Sequence, residues 1–206
     1  MDKFDQLANE ESIKETVKNL KENGFNPIVV NNSEEAKAKV LELIPEKSEV
    51  MTMSSVTLNT SGIAKAINES GKYDSVKNKL SEMSRETDGR AMQKIGAAPE
   101  YAVGSVHAVT LDGHVFIASN TGSQLPAYVY ASTHVIWVVG TQKIVKNDAD
   151  AMKRIYDYIL PKESVRLGEQ YGNPGIKSNV SKVLIVNKEF NPERVTLILV
   201  KEELGF

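Results

Sequence analysis

The chain has 206 residues, 41% of them hydrophobic, with 25 Lys+Arg against 27 Asp+Glu, a formal charge of −2 and no cysteine. Without a thiolate there is no disulfide framework, no Cys-ligated zinc or iron–sulfur cluster and no cysteine nucleophile, so any cluster chemistry must belong to a partner. The charge balance argues against a nucleic-acid partner, because the basic positions between Lys14 and Lys21 are interleaved with acids and form no single-sign patch.

Met1 is followed by Asp2, Lys3 and Asp5, which is not the start of a signal peptide. The longest apolar run, Val135 to Val139, falls far short of the roughly 20 residues that span a bilayer. The expectation is a soluble, cytoplasmic protein with no membrane partner, forming one α/β domain over residues 1–206 in which residues 1–48 are an N-terminal helical and strand portion.

An amphipathic pattern predicts a helix from about Asn9 to Asn23, with Ile13, Val17 and Leu20 on one face and Gly24 as its stop. Pro27 to Asn31 has strand length, Ser33 opens a second helix that Pro45 closes, and Glu49 to Met53 reads as a second buried strand. A helical pattern then carries Leu58, Ile63 and Ile67. Residues 71–99 suggest a helical pair interrupted at Gly89. Val103 to Leu111 and His114 to Ala118 flank Asp112-Gly113, a strong hairpin signal that would pair Val109 with Phe116 and His107 with Ala118. A helix over about 125–132, a buried strand from His134 to Val139, and a helix from Asn147 to about Leu160, with Met152, Ile155, Tyr156 and Ile159 as its stripe and Pro161 as its end, follow in turn. Val165 to Val180 reads as a long loop, and Lys182 to Val186 and Arg194 to Val200 as the last strands. Alternating strands and helices predict a mostly parallel sheet with an antiparallel hairpin and helices on both faces.

Three histidines, His107, His114 and His134, invite a metal site. In the expected hairpin His107 and His114 stand roughly 13 Å apart, which excludes a shared ion, so no metal site is assigned. Ser105 and His107 share a strand face and raise the possibility of a hydroxyl activated by an imidazole, although their backbones are about 6.6 Å apart; a small strand serine beside a core histidine is the plainer explanation. Four small-polar segments at strand ends form a more informative set: Ser54-Ser55-Val56-Thr57, Val103-Gly104-Ser105, Asn120-Thr121-Gly122-Ser123 with Gln124, and Gly140-Thr141-Gln142-Lys143. Strand ends line the ligand crevice of open α/β sheets, and hydroxyls with free amides suit a phosphate or carboxylate. Helix caps use the same residues, so for a single segment the cap is the plainer reading, and the recurrence at four strand ends brings the crevice level with it.

The runs Ser105 to Gly113, Asn120 to Gln124, Val138 to Val145 and Arg194 to Phe206, together with Ser55-Val56-Thr57-Leu58 and Gly62-Ile63, resemble the LUD domain of lactate-utilisation proteins. The resemblance is collinear from about Ser54 to Phe206. It implies a fold like that of ribose-5-phosphate isomerase, glucosamine-6-phosphate deaminase and CoA transferases, and an association with the oxidation of lactate to pyruvate beside iron–sulfur subunits. Three positions depart from the family pattern. Gly122-Ser123-Gln124 stands where many members have Gly-Asn-Arg, Gln142-Lys143-Ile144 where many have Asn-Lys-Ile, and Tyr171 to Asn179 replaces a cysteine-rich loop.

The leading expectation is a LUD-domain protein that binds a small anionic or phosphorylated metabolite in a strand-end cleft. Ser54, Ser55, Thr57, Gly104, Ser105, Asn120, Thr121, Gly122, Ser123, Gln124 and Gly140 are the expected ligand contacts, with Lys143 neutralising charge and His107 in polar or acid–base contact. No cofactor is assigned. A sugar-phosphate isomerase or acyl/CoA-transferase-type enzyme remains an alternative, with Glu100 as the acid ahead of the Gly104 loop. A third is a non-catalytic subunit that docks on iron–sulfur partner proteins. Whether the chain is an enzyme, and whether it forms a homo-oligomer, stay open.

Overall fold

The computed structural model describes residues 3–206; Met1 and Asp2, which begin the stretch read above for a signal peptide, lie outside the described residues. Helix α1 (Glu10–Glu22) starts where the Asn9 side chain accepts the Ser12 N–H at 2.8 Å, and it buries Ile13 and Leu20. It leads to β1 (Asn26–Val30), α2 (Ser33–Leu43), β2 (Glu49–Thr52) and α3 (Val56–Thr60). The helical pattern through Ile67 is broken at Gly62, which adopts φ 70° and starts a separate α4 (Ile63–Asn68). A two-residue β3 (Asp74–Ser75) precedes α5 (Val76–Ser81) and α6 (Arg85–Ala97). These form the expected helical pair, except that α6 runs through Gly89 without interruption.

Next come β4 (Tyr101–Gly104), β5 (Ala108–Thr110), β6 (Val115–Ser119), a π-helical turn (Ala127–Ala131) and β7 (His134–Gly140). A 3₁₀ turn (Thr141–Lys143), β8 (Ile144–Val145), α7 (Asp148–Lys153), a π-helical segment (Arg154–Ile159), α8 (Leu160–Gln170), β9 (Lys182–Val186) and β10 (Val195–Val200) complete the chain.

The strands divide into two sheets. The larger is wholly parallel, in the order β1-β10-β7-β4-β2-β3, and the smaller is mixed, in the order β8-β5-β6-β9. One apolar cluster joins α2, α3 and α4 (Val40, Leu58, Ile63, Ile67) to one face of the large sheet (Val103, Ile136, Val138, Ile198). A second fills the space between the sheets with Trp137, Leu197, Val109 and Ile117, closed at the side by Leu20 of α1. A third packs Phe116 and Ala108, on the outer face of the small sheet, against Ala151, Ile155, Tyr158 and Ile159. The fold is therefore α/β with a mostly parallel sheet, built as helix, sheet, sheet, helix. Because β1, β10, β7, β4 and β2 run parallel, their C-terminal ends all open on one edge.

Four local expectations are corrected. Val103 to Leu111 is not one strand: the chain leaves the large sheet after Gly104, crosses at Ser105-Val106-His107 and enters the small sheet at Ala108. Hydrophobic patterning cannot see this break, since both sheets bury both faces and the apolar run continues through the crossing. The hairpin register is also shifted by one residue, with Ala108 opposite Phe116 and Val109 opposite Val115. The loop is Leu111-Asp112-Gly113, closed between Thr110 and His114, with Gly113 at φ 80°. Finally, Pro161 does not end the helix that Asn147 caps. The π-helical segment widens the turn ahead of the proline, where an α-helical carbonyl would clash with its ring, and the helix continues to Gln170. Tyr156, expected in its apolar stripe, is exposed; Tyr158 is buried instead.

Candidate functional site

The loops at the C-terminal edge of the parallel sheet line a cleft of about 1760 Å³. At its floor is Lys143, held by the 3₁₀ turn after β7 and buried to 2% exposure. Its Nζ donates to Thr57 Oγ1 at 3.0 Å, to Ser105 Oγ at 3.1 Å and to the Val106 carbonyl at 3.3 Å. One ammonium thus ties together the loops that follow β2, β4 and β7. No carboxylate is among these partners. Burial, aided by the positive charge of Arg154, brings the Lys143 amine down to about 7. Thr57 in turn donates to the Leu204 carbonyl at 3.1 Å, and Gln142 Nε2 donates to the same carbonyl at 3.1 Å. The segment after β10 is thereby folded over the cage.

His107 sits in the crossover between the sheets. Its Nδ1 accepts the Ala118 N–H at 3.1 Å, which leaves the ring proton on Nε2, and its carbonyl accepts from Arg154 Nη1 at 2.8 Å. Desolvation first, then the charges of Lys143 and Arg154, lower His107 to about 3, so the ring is a neutral donor at any ordinary pH. Ser105 therefore meets Lys143 rather than the imidazole. The other two histidines go elsewhere: His114 Nδ1 lies 2.9 Å from Asp148 Oδ1, and His134 stacks on Tyr101 at the far end of β7.

Ser54, Ser55, Thr57, Ser105, His107, Asn120, Thr121, Ser123, Gln124 and Lys143 all face this cleft. Their roles differ. Ser55 caps α3 through the Leu58 N–H at 3.4 Å, and Ser54 accepts from Lys77 Nζ at 3.1 Å. Thr121 and Ser123 hydrogen-bond each other at 3.1 Å, while Gln124 accepts from Ser119 Oγ at 2.9 Å. The three glycines of the set do not line the cleft. A Cβ at Gly104 would overlap the buried Tyr128 hydroxyl, and one at Gly140 would stand 2.7 Å from the Glu202 carbonyl. Both are close-packing positions. Gly122 makes its turn at φ 86° against the Lys182 side chain. Gly104→Ala is expected to cost roughly 1–3 kcal/mol through overpacking, read as a lower urea midpoint with unchanged m. Glu100 is exposed at the N-terminal end of β4, the opposite edge of the sheet, and takes no part in the cleft.

The cleft also contains residues that patterning missed. Residues Arg85, Gly89, Met92, Gln93 and Gly96 lie on one face of α6, and Arg90 joins them at the cleft wall. The spacing was there to be read, but the small and basic residues on that face carry no apolar periodicity. Across the cleft, Arg166 of α8 is clamped by Glu163, with both nitrogen–oxygen contacts at 2.7 Å. Met51, Met53, Met83 and Met92, four of the six methionines, complete the lining. Tyr171, Ser178, Asn179 and Val180 also line the cleft.

The fold is similar to that of a DUF162 family protein from Deinococcus radiodurans, with a TM-score of 0.58 and 10% sequence identity over 95% of this chain and 99% of that one. A weaker likeness, TM-score 0.38 at 11% identity, links 68% of the chain to 48% of eIF2B beta from Chaetomium thermophilum. No curated protein matches the chain. The model of the LUD domain matches residues 13–200, which include every strand of both sheets and the whole Lys143 cage. The chain belongs to the LUD-domain family.

Proposed function

We propose that this LUD-domain protein binds a small anionic or phosphorylated metabolite in the strand-end cleft. The observation that carries this reading is the charge of the lining: Lys77, Arg85, Arg90 and Arg166 face the cleft above the buried Lys143 amine, against the single side-chain carboxylate of Glu163, among the described residues. A chain with a net charge of −2 has gathered cations here. In a concave, partly desolvated site such a set attracts an anion and strengthens its hydrogen bonds. The hydroxyls of Ser105, Thr121 and Ser123 supply short-range donors. The cleft exceeds the roughly 300–1,000 Å³ of most ligand pockets, so it accommodates a body larger than a three-carbon acid, and the methionines give that body an adaptable apolar surface.

The family's association with lactate oxidation makes lactate and pyruvate the first compounds to test, followed by sugar phosphates and CoA esters. A true ligand at 100 times its dissociation constant is expected to stabilise the protein by about 2.7 kcal/mol, seen as a rise in the unfolding temperature. Arg90→Glu, on the cleft wall and outside the cage, is expected to weaken binding about tenfold or more while leaving the free protein's unfolding temperature within a degree or two. If no member of the panel shifts the wild-type protein, the proposal is wrong.

A further inference from the structure

An ammonium at Lys143 donates to all three oxygens of the cage, and the neutral amine offers its lone pair to one of them. A neutral amine has two N–H donors and one lone pair. Thr57 has committed its proton to the Leu204 carbonyl, and the Val106 carbonyl has none to give, so both can only accept from Nζ. Ser105 is the remaining partner. Its nearest other acceptor is the Val106 carbonyl at 3.5 Å, which leaves its proton available to the lone pair 3.1 Å away. A hydroxyl within hydrogen-bond reach of a base, with that base oriented by a third group, is the geometry of an activated nucleophile.

We propose that Ser105 and Lys143 form a serine–lysine dyad that transfers acyl groups, hydrolysing esters or thioesters of small acids. Ser105 Oγ attacks the acyl carbon as its proton passes to Lys143 Nζ. The tetrahedral intermediate expels the alcohol or thiol, which takes that proton. Water then attacks the acyl-serine, again giving a proton to Nζ, and the acid departs with Ser105 restored. The balance is ester plus water to acid plus alcohol or thiol. His107 lines the same cleft, with its Nδ1 occupied by the Ala118 N–H. Burial of Lys143 favours the base form near neutrality, the condition that lysine bases need. The dyad goes beyond anion binding and does not depend on which anion the cleft holds.

The test treats the intact protein with a fluorophosphonate probe, which serine nucleophiles capture with loss of fluoride, and maps the adduct by peptide mass. The expected result is modification of Ser105 together with hydrolysis of 4-nitrophenyl acetate. Ser105→Ala should abolish the adduct and lower hydrolysis at least about 100-fold, and Lys143→Met should slow labelling by a similar factor while circular dichroism shows the native fold. An unlabelled Ser105 in the wild-type protein overturns the dyad, as does a hydrolysis rate that Ser105→Ala leaves within twofold. Anion binding is measured separately by thermal shift on the wild-type protein before labelling. Binding without labelling keeps the cleft function and removes the dyad; labelling without binding does the reverse.

Discussion

Lys143→Met is expected to stabilise the protein by about 2 kcal/mol at pH 6.5 and to destabilise it by a similar amount at pH 10. The sign follows from proton binding. An unfolded lysine titrates near 10.5 and the folded one at about 7, so between these values the unfolded chain holds a proton that the native chain has lost. Stability therefore rises with pH across that window, by on the order of 5 kcal/mol, and the full penalty of the buried charge is present below pH 7. Methionine keeps the length and apolar stem of lysine and removes the titration. It also forfeits the contacts to Thr57, Ser105 and Val106, roughly 1 kcal/mol each, which is why the two proteins should cross in stability at intermediate pH. Arg154 and His107 are the charged and titratable neighbours that share this field with Lys143. Urea unfolding of both proteins from pH 6.5 to 10 checks the prediction, and parallel curves would sink it.

His107 controls the acid side. Its folded value is lowered to about 3 from 6.5, so below pH 6.5 the unfolded state takes up a proton that the native state refuses. Native stability is accordingly lost as the pH falls from 6.5 toward 3. The edge of the residue that reaches the cleft softens the effect, to on the order of 3 kcal/mol. His107→Gln offers an amide oxygen to the Ala118 N–H in place of Nδ1 and has nothing to protonate. The variant should hold its unfolding temperature between pH 6 and 4 while the wild-type protein declines. Equal declines would show that other groups govern the acid limb.

Both predictions describe the same trade. A lysine with no carboxylate partner among the described residues and a histidine kept neutral destabilise the fold at the pH values where each would carry charge. Residues that cost stability in this way concentrate at sites where their chemistry is used. Here they lie side by side at the junction of two sheets, beside the hydroxyls of Thr57 and Ser105.

Much of the scaffold was legible from local pattern. Asn147, read as a cap, supplies its side-chain acceptor to the first turn of its helix, and the β-branched runs of β7 and β10 declare strands buried on both faces. The small-polar strand ends could be grouped as one candidate site because a parallel sheet brings its C-terminal ends to one edge, and the collinear likeness to LUD domains pointed to the family. Other features depended on distances between segments far apart in sequence. Whether Val103 to Leu111 remains in one sheet or crosses to a second is decided by which surfaces are covered, and its residues are apolar under either arrangement. The spacing of Ser105 and His107 suggested a pair on one strand face; the crossover instead turned Ser105 toward a lysine 38 positions later. Gly104 and Gly140, expected as ligand contacts, do not line the cleft, and Tyr128 and Glu202 approach them closely from outside their own loops.

The sequence by itself determined the α/β alternation, the absence of thiol chemistry and the small-polar composition of the strand ends, since these follow from residue type and short-range period. Only the tertiary structure decided which of those residues meet, that α6 and α8 bring arginines to the lining of the cleft, and that Lys143 is buried with no carboxylate partner among the described residues. Charge and hydrogen bonding act over a few ångströms in space, and a linear pattern does not record which distant side chains come that close.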